Sequence, residues 1–333
     1  MKVSACADGF GTGTAQTRQS ASFRIIAKRY RNCELRIADC EFERRLYIMY
    51  QIISRKALNR TVTMLEIEAP LVAKKAKAGQ FIILRVDEDG ERVPFTVYDT
   101  DKERGTVSII FQVLGATTKK LDAKREGEYL CDFAGPLGIA TEITGKQRVC
   151  VVGGGVGCAI ALPIARAFKE NGTDVTSIIG FRTRELIILE QEFRAVSDRM
   201  HLMTDDGSFG EHGNVCMPLV QMLGAGEQFD EIIAIGPMMM MKFVVEAARP
   251  YGTPVTVSMN PIMIDGTGMC GGCRVTLNRN GERITKFACV DGPDFNGYEI
   301  DFDEAISRNR MYVDFERRAY ENTCNLLRAR EER

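Results

Sequence analysis

The sequence predicts a β-barrel followed by a parallel α/β sheet, with a small cysteine-containing module after them. Strand-like segments separated by turn residues run from residue 61 to about residue 140, which is typical of a small antiparallel barrel or sandwich. From residue 148 onward strands and helices alternate, which is typical of a parallel sheet. Cys270 and Cys273 then follow three positions apart, with Cys289 further along. The 333 residues suffice for two or three domains with separate cores.

The composition is that of an ordinary globular protein and excludes several functional classes. A net charge of −1 provides no basic field for nucleic acid or anionic lipid. The apolar runs are too short for a membrane span and no signal-peptide core is visible, so we expect a cytoplasmic protein. Eleven scattered cysteines, an odd number, argue against a disulfide framework. The presence of only two histidines disfavours a histidine-centred hydrolase and a zinc site of the Cys2His2 kind.

Residues 1–48 differ in character from the rest of the chain, because they lack a clean hydrophobic period. One interpretation is a loosely folded N-terminal arm. The other, which we favour, is that Met49 is the natural start and the preceding residues are upstream sequence read in frame. A mass measurement of the native protein distinguishes the two. For the remainder we expect a barrel domain at 49–145, an α/β domain at 146–257 and a C-terminal module with a final helix at 258–333.

Within the predicted barrel, the stretch "ERVPFTVYD" places Arg92, Pro94 and Thr96 on one face of a strand. An arginine there can pair with a diphosphate in a bidentate manner, while the threonine contacts a flavin ring. The alternative is an exposed charge on a barrel strand. The stretch "GATTKKL" at 115–121 predicts a glycine turn and a threonine-capped helix start, a second phosphate seat. "AGPLG" at 134–138 could simply be a domain-linking turn.

The α/β domain begins with the stretch "VCVVGGGVGCAIALP", which predicts a strand, a glycine turn and a helix start. Its glycines let the backbone approach a pyrophosphate at the helix N-terminus. The stretch is not a strict GxGxxG motif, and a glycine-rich turn that binds nothing is the alternative. A second turn, at Gly236-Pro237, supports a ligand at this edge of the sheet, because ligands gather at the carboxyl ends of parallel strands. The four methionines that follow are better explained as core filling, although Met238 could touch a ligand.

The cysteine module resembles an iron–sulfur motif that lacks one thiol. Plant-type [2Fe–2S] proteins use C-x4-C-x2-C followed by a distant cysteine. Here the residue five positions before Cys270 is Asp265, so the pattern is D-x4-C-x2-C-x15-C. A carboxylate can ligate iron, although it is a harder ligand than a thiolate. Two alternatives stay open, a zinc site completed by Cys216 or Cys324 and three simply buried cysteines.

In this order, the three parts resemble the ferredoxin-reductase-like flavoproteins that carry a C-terminal [2Fe–2S] module. The chain is similar to two branches of that family. The first branch is the electron-transfer subunit of dihydroorotate dehydrogenase, and the second is the small subunit of NADH-dependent reduced ferredoxin:NADP+ oxidoreductase. The chain looks more like the second branch over residues 49–312, on stretches that include "VAKKAKAGQFIILRVDEDGERVPFTVYD", "TDDGSFGEHGNV", "IGPMMMMKF" and "DGTGMCGGCRVT". In that branch one aspartate and three cysteines hold the cluster, whereas the first branch uses four cysteines.

The resemblance implies a role for each motif. The residues that would hold FAD are Arg92, Pro94, Phe95, Thr96, Gly115, Thr117, Thr118, Gly135, Pro136, Leu137 and Gly138. Those that would bind NAD(H) are Gly153, Gly154, Gly155, Val156, Gly157, Asp206, Gly236, Pro237 and Met238. The ligands of the [2Fe–2S] cluster would be Asp265, Cys270, Cys273 and Cys289.

The resemblance also implies an electron-transfer subunit that exchanges hydride with NAD(H) at FAD and passes single electrons through the cluster. Its partner would be a larger subunit with a second FAD, [4Fe–4S] clusters and the NADP(H) site, in a heterodimer that bifurcates electrons and serves ferredoxin. No nucleic acid or membrane partner is expected. Alternatives are the dihydroorotate dehydrogenase partner, disfavoured by Asp265, and a non-redox scaffold that keeps the fold. Arg182 and Arg184 could instead favour a 2′-phosphate and hence NADP(H).

Overall fold

The computed structural model describes residues 50–311 and 313–331. The proposed N-terminal extension, residues 1–48, therefore lies outside the described residues. All described elements belong to one compact unit, Met49–Arg333. Among the described residues every helix is too short or too polar to cross a membrane.

The first half of this unit is a seven-stranded antiparallel sheet that forms the predicted barrel. Its strands are β1 (Tyr50–Ala57), β2 (Val62–Glu68), β3 (Phe81–Arg85), β4 (Arg92–Asp101), β5 (Thr106–Gln112), β6 (Tyr129–Leu130) and β7 (Asp132–Leu137). Their order across the sheet is β6-β1-β2-β5-β4-β3-β7. Two short helices accompany them, α1 (Pro70–Ala73) and α2 (Ala116–Asp122).

Strand β3 is buried on both faces, and this locates the barrel against the rest of the molecule. Ile82 and Leu84 belong to the barrel core, where they pack with side chains such as Leu65. Phe81 and Ile83 point the other way into a second core, which they share with the α/β sheet and with Cys273. Alternate side chains of a strand face opposite sides, so the apolar run "FIIL" serves two cores at once.

The α/β half alternates strands and helices as the sequence predicts. Its elements are β8 (Arg148–Gly154), α3 (Cys158–Glu170), β9 (Asp174–Phe181), α4 (Glu190–Val196), β10 (Arg199–Thr204), β11 (Glu211–His212), α5 (Cys216–Gly224), β12 (Glu231–Ile235), α6 (Met238–Ala248) and β13 (Val255–Ser258). All strand pairs among them are parallel. Helix α4 begins later than the predicted "ELIILEQEFRAVSD", because the backbone reaches it through Leu189 in a left-handed conformation (φ 60°).

The C-terminal segment folds partly on its own and partly into the α/β sheet. Its elements are β14 (Arg274–Arg279), β15 (Glu282–Phe287), α7 (Ala288–Asp291), β16 (Asp294–Asn296), α8 (Phe302–Asn309) and α9 (Val313–Glu331). Strands β14 and β15 form a separate hairpin, whereas β16 pairs antiparallel with β13 and completes the order β11-β10-β9-β8-β12-β13-β16. The chain thus returns to the α/β sheet after the cysteine loop. The β-barrel plus α/β fold class is confirmed, and the domain boundaries remain predictions.

Candidate functional site

A cavity of about 1020 Å³ lies at the carboxyl edge of the parallel sheet. One wall is formed by the loops that follow β8, β9, β10, β12 and β13, and the opposite wall comes from the barrel through residues such as Thr61 and Gln112. This is where open α/β sheets bind their ligands. A space of this size accommodates a dinucleotide rather than a small metabolite alone.

The glycine turn after β8 brings the backbone close to both the cavity and the neighbouring loop. A Cβ atom on Gly157 would stand 2.6 Å from the carbonyl oxygen of Ile235, so this position packs backbone against backbone. Gly155 has a left-handed φ of 55° and open space at its Cβ position. No side chain caps the N-terminus of the 13-residue helix α3, which starts at this turn. Its free N–H groups and dipole therefore offer a seat for an anion on the cavity wall.

Other cavity residues only partly match the sequence prediction. Gly236 and Pro237 line the cavity as expected, but Met239 and Met240 do so in place of Met238. Asp205 lines it as well. The carboxylate of Asp206 instead accepts hydrogen bonds from the backbone N–H (3.0 Å) and hydroxyl (2.6 Å) of Ser208, and these bonds lower its pKa.

The two arginines considered for a 2′-phosphate have different surroundings. Arg182 lines the cavity at the end of β9. The guanidinium of Arg184 lies over the ring of Phe209, 5.2 Å from its centre. Sequence reasoning missed two polar residues at the opposite end, Ser258 and Asn260. Nothing local marks them, because they become cavity residues only through the order of the strands.

On the barrel, the predicted flavin residues lie on neighbouring strands. Arg92, Pro94, Phe95 and Thr96 are on β4. Gly135, Pro136 and Leu137 end β7, and Gly138 follows directly after it. Strand β3 pairs with both of these strands, so they flank it on either side.

The glycine turn before α2 forms as predicted, with a different capping arrangement. The hydroxyl oxygen of Thr118 accepts hydrogen bonds from the N–H groups of Leu114 (3.0 Å) and Gly115 (2.9 Å). Thr117 donates its hydroxyl to Glu91 Oε2 at 3.2 Å. Gly115 itself is the N-cap residue, so the threonine acts from inside the helix.

The four proposed cluster ligands fall into two pairs. The sulfur atoms of Cys273 and Cys289 are 3.1 Å apart and both residues are buried. Burial, with Cys273 beside it, raises the pKa of Cys289 to about 12. Cys270 is exposed. Its thiol lies close enough to Asp265 for the carboxylate charge to oppose the net lowering of the thiol pKa. The pKa of Asp265 is lowered mainly by a hydrogen bond from Thr267. The positive charge of Arg92 on the barrel also lies close enough to lower it.

Backbone N–H groups of the glycine-rich loop point at the sulfurs. The N–H of Gly272 donates to Cys270 Sγ at 3.5 Å, and this is the largest of the effects that lower the pKa of that thiol. Gly266, Gly268 and Gly271 have φ values of 83°, 83° and 65°, a region that side chains disfavour. The loop can therefore fold its amides inward only with glycine at these positions.

This arrangement fits a two-iron cluster. In the described part of the chain, no three His, Cys, Asp or Glu side chains converge on a point that could hold one metal ion. In a [2Fe–2S] cluster, however, the ligands divide between two irons. The pairs Asp265–Cys270 and Cys273–Cys289 match that division, and inward N–H groups suit the negative charge of cluster sulfurs. Residues 260–301 would thus supply the complete ligand set.

Comparisons with known proteins agree with this geometry. Residues 260–301 match the family described as the iron-sulfur cluster binding domain of dihydroorotate dehydrogenase B. The chain is 44% identical over 271 residues to the dihydroorotate dehydrogenase B (NAD(+)) electron transfer subunit homolog of Thermotoga maritima, covering 81% of this chain and 94% of that protein. It is 31% identical over 259 residues to the corresponding electron transfer subunit of Enterococcus faecalis, covering 76% and 97%.

Among solved structures, the chain is similar to a chain in the structure of an NADH-dependent reduced ferredoxin-NADP oxidoreductase that was studied for flavin-based electron bifurcation. The identity is 42%, the TM-score is 0.76, and the match covers 82% of this chain and 97% of that one. A cytochrome P450 reductase of Amycolatopsis, at 20% identity and a TM-score of 0.53, shares the fold.

Proposed function

The chain belongs to the family of dihydroorotate dehydrogenase B electron-transfer subunits and their homologues, and from that premise we propose that it is the flavin and iron–sulfur subunit of an NADH-dependent ferredoxin:NADP+ oxidoreductase. The observation that carries this proposal is that the barrel lies against both other sites. Some of its residues line the cavity, and others lie beside the cysteine loop. Arg92 on β4 is close enough to lower the pKa of Asp265. Ile83 on β3 packs in the same hydrophobic core as Cys273 and Cys289. Electron transfer needs such closeness of its centres.

The residues of the chain bind and orient the reactants. The N–H groups at the start of α3 and the turn Gly153–Gly157, of which residues 154–157 line the cavity, would hold the pyrophosphate of NAD(H). Arg92 would pair with the diphosphate of FAD, Thr96 would contact its ring, and the segment Gly135–Gly138 would help to hold the cofactor. When bound, FAD supplies hydride exchange with NAD(H), and the cluster supplies single-electron transfer. Hydride exchange at the flavin needs no side chain to act as an acid or a base.

The cysteine loop holds the [2Fe–2S] cluster through Asp265, Cys270, Cys273 and Cys289. The N–H of Gly272 stabilises the charge on Cys270, and Arg308 on α8 braces the loop by donating to the carbonyl oxygen of Gly272 at 3.2 Å. Burial of Cys273 and Cys289 keeps one side of the site dry, whereas exposed Cys270 leaves the other side near the surface.

The similar proteins are named electron transfer subunits, which supports assembly with a further subunit. In our proposal this partner is the larger subunit with a second FAD, [4Fe–4S] clusters and the NADP(H) site, and the heterodimer works in the cytoplasm with ferredoxin. The second candidate is the electron-transfer subunit of dihydroorotate dehydrogenase, which the matched cluster-binding family favours. Asp265 separates the two, because the dihydroorotate dehydrogenase branch uses four cysteines, one of them in place of this aspartate.

Anaerobic purification followed by a visible spectrum and iron and flavin analysis tests the proposal. We expect one FAD and two irons per chain, and a colourless, iron-free protein would overturn it. Copurification with a larger flavoprotein rather than a dihydroorotate-oxidising enzyme decides between the two candidates.

Asp265 variants test the ligand assignment separately. We expect Asp265→Cys to keep a [2Fe–2S] cluster at a lower reduction potential, because a thiolate donates more electron density to iron than a carboxylate. Asp265→Ala should make the cluster labile, and Asp303→Ala, at an exposed carboxylate on α8, serves as the control. An alanine variant with unchanged cluster spectrum and potential would show that Asp265 is not a ligand.

A further inference from the structure

Asp294 on β16 carries a carboxylate oxygen whose hydrogen bonding is incomplete. Its Oδ2 accepts a hydrogen bond of 2.6 Å from the hydroxyl of Thr141, in the segment that follows β7. Its Oδ1 is shut off from solvent and accepts no hydrogen bond of normal geometry. A buried carboxylate oxygen that accepts no hydrogen bond costs free energy. A neighbouring group that can donate a hydrogen bond to Oδ1 would remove that cost.

Ser258 is the neighbour in a position to do so. It is the direct partner of Asp294 across the antiparallel β13–β16 ladder, so the two side chains lie next to each other on the same face of the sheet. Burial, with the negative charge of Glu231 nearby, raises the pKa of Asp294, and the hydroxyls of Thr141 and Ser258 oppose this by favouring the carboxylate. Ser258 is only 8% exposed, and it is one of the residues that line the cavity.

A serine hydroxyl has one hydrogen and two lone pairs. If the hydrogen is directed at Asp294, the oxygen presents only lone pairs to the cavity. Ser258 then acts as an acceptor and selects ligands that bring an N–H or O–H donor to this point. The buried carboxylate thus determines whether this part of the cavity wall donates or accepts a hydrogen bond, although Asp294 itself does not line the cavity.

The strand order shows which end of the cavity this wall occupies. The glycine turn after β8 lies near the middle of the sheet, with Arg182 and Asp205 on the β9–β10 side. Ser258 lies on the opposite, β12–β13 side. A dinucleotide with its pyrophosphate at the turn extends both ways, and the half that must meet flavin is nicotinamide. The segment after β7 approaches here, where the N–H of Ile139 donates to the carbonyl oxygen of Gly292 at 2.6 Å.

We propose that Asp294 is a positioning residue that orients the Ser258 hydroxyl so that Ser258 Oγ accepts a hydrogen bond from the carboxamide N–H of nicotinamide. The inference rests on the proposed function, since it assigns the cavity to a nicotinamide dinucleotide. The proposal restricts the ligands to dinucleotides whose ring substituent can donate a hydrogen bond, a narrower class than the fold by itself implies. A neutral carboxamide supplies the donor, whereas the carboxylate of a nicotinic acid dinucleotide has only acceptors and meets the oxygen of Ser258 unfavourably.

Three nucleotides test this with the full chain at pH 8: NAD+, nicotinic acid adenine dinucleotide, and ADP-ribose, which lacks the ring. Binding is measured by calorimetry, without turnover. In the unaltered protein we expect tighter binding of NAD+ than of the acid. Ser258→Ala and Asp294→Asn should each reduce that preference by about three- to tenfold, the range expected for one hydrogen bond. Neither should change the affinity for ADP-ribose.

The double variant separates positioning from general damage. If Asp294 acts through Ser258, then Asp294→Asn has no further effect on the preference in the Ser258→Ala protein. Thr256→Val, on the same strand with its hydroxyl on Glu231, is the matched control and should leave the preference unchanged.

An unchanged preference in Asp294→Asn, an undiminished effect in the Ser258→Ala background, or an equal loss of ADP-ribose affinity would each overturn the inference alone. An unaltered protein that binds neither NAD+ nor ADP-ribose would overturn the proposed function as well.

Discussion

At the scale of single residues, Gly157 on the cavity wall is required by the packing of backbone against backbone. A Cβ on Gly157 would meet the carbonyl oxygen of Ile235 at 2.6 Å and the Cα of Gly236 at 2.7 Å. Both are backbone atoms, which cannot move aside as a flexible side chain would. On Gly180, by contrast, a Cβ would collide with a methyl group of Val215. The turn after β8 and the loop after β12 therefore hold each other in place through Gly157.

We expect Gly157→Ala to lower the free energy of unfolding by about 1–3 kcal/mol, the usual cost of overpacking. It should also weaken NAD+ binding, because the loops that seat the pyrophosphate must separate. Thermal unfolding and calorimetry measure the two effects. Gly224→Ala at the end of α5 is the control, since its Cβ would meet only the hydroxyl of Tyr251, at an ordinary 3.5 Å. A Gly157→Ala protein as stable as this control would contradict the packing argument.

Residues in local motifs could be predicted from the sequence, and residues that depend on strand order could not. The glycines of the turn and the set from Asp265 to Cys289 are marked by spacing alone. Ser258 carries no such mark, because it reaches the cavity only through the placement of β13 beside β12. The choice between Asp205 and Asp206 likewise depends on a turn in which Ser208 occupies one carboxylate.

At the scale of elements, α8 supports the cysteine loop. Its N-terminus is capped by Asp301, whose carboxylate accepts a hydrogen bond of 3.0 Å from the N–H of Glu304. Arg283 on β15 pairs with both of these acids. Arg308, the penultimate residue of α8, donates a hydrogen bond to the carbonyl oxygen of Gly272 at 3.2 Å. The helix is thus fixed at its start by the hairpin and braces the loop near its end.

We expect Arg308→Met to release iron about tenfold faster than the unaltered protein, the lower end of the effect of losing an outer hydrogen bond at a metal site. The apolar part of the side chain is kept, so packing changes little. Loss of visible absorbance in the presence of a chelator gives the rate. Arg310→Met, at the exposed end of the same helix, is the control and should match the unaltered protein. Equal rates for the two variants would show that the Arg308 contact does not support the loop.

Elements with strong local signals were predicted well. Helix α3 ends before Asn171-Gly172 as expected, since Gly172 adopts a left-handed φ of 83° that stops the helix. Strand β16 is three residues long and could not be recognised by periodicity. Its place in the sheet is decided by pairing with β13 across a gap in sequence that holds the cysteine loop and the hairpin.

At the scale of the whole molecule, the cluster-binding segment and the α/β domain share one hydrophobic core. Cys273, Cys289 and Phe295 pack in the same cluster as Val152 of β8 and Ile232 of β12. The linear order of modules suggests a detachable tail. The return of β16 to the sheet makes the tail part of the domain instead, and this could not be predicted from a segment-by-segment view.

Truncation after Asn260 should therefore destroy the fold rather than remove one cofactor. It takes β16 from the edge of β13 and removes core side chains that include Val275, Leu277 and Phe295. Large apolar side chains lost from a core cost about 2–5 kcal/mol each, whereas a domain has about 5–15 kcal/mol in total. We expect aggregation or no cooperative thermal transition in the truncated chain.

The matched control inserts two glycines between Asn280 and Gly281, where the β14–β15 turn already has left-handed φ values of 54° and 82° and a Cβ on Gly281 would meet open space. This change lengthens the same segment without touching the core, so the melting temperature should stay within about 4 °C, which corresponds to a change of less than about 1 kcal/mol. A truncated chain that melts cooperatively at the temperature of the full protein would show instead that the cluster-binding segment is an independent module.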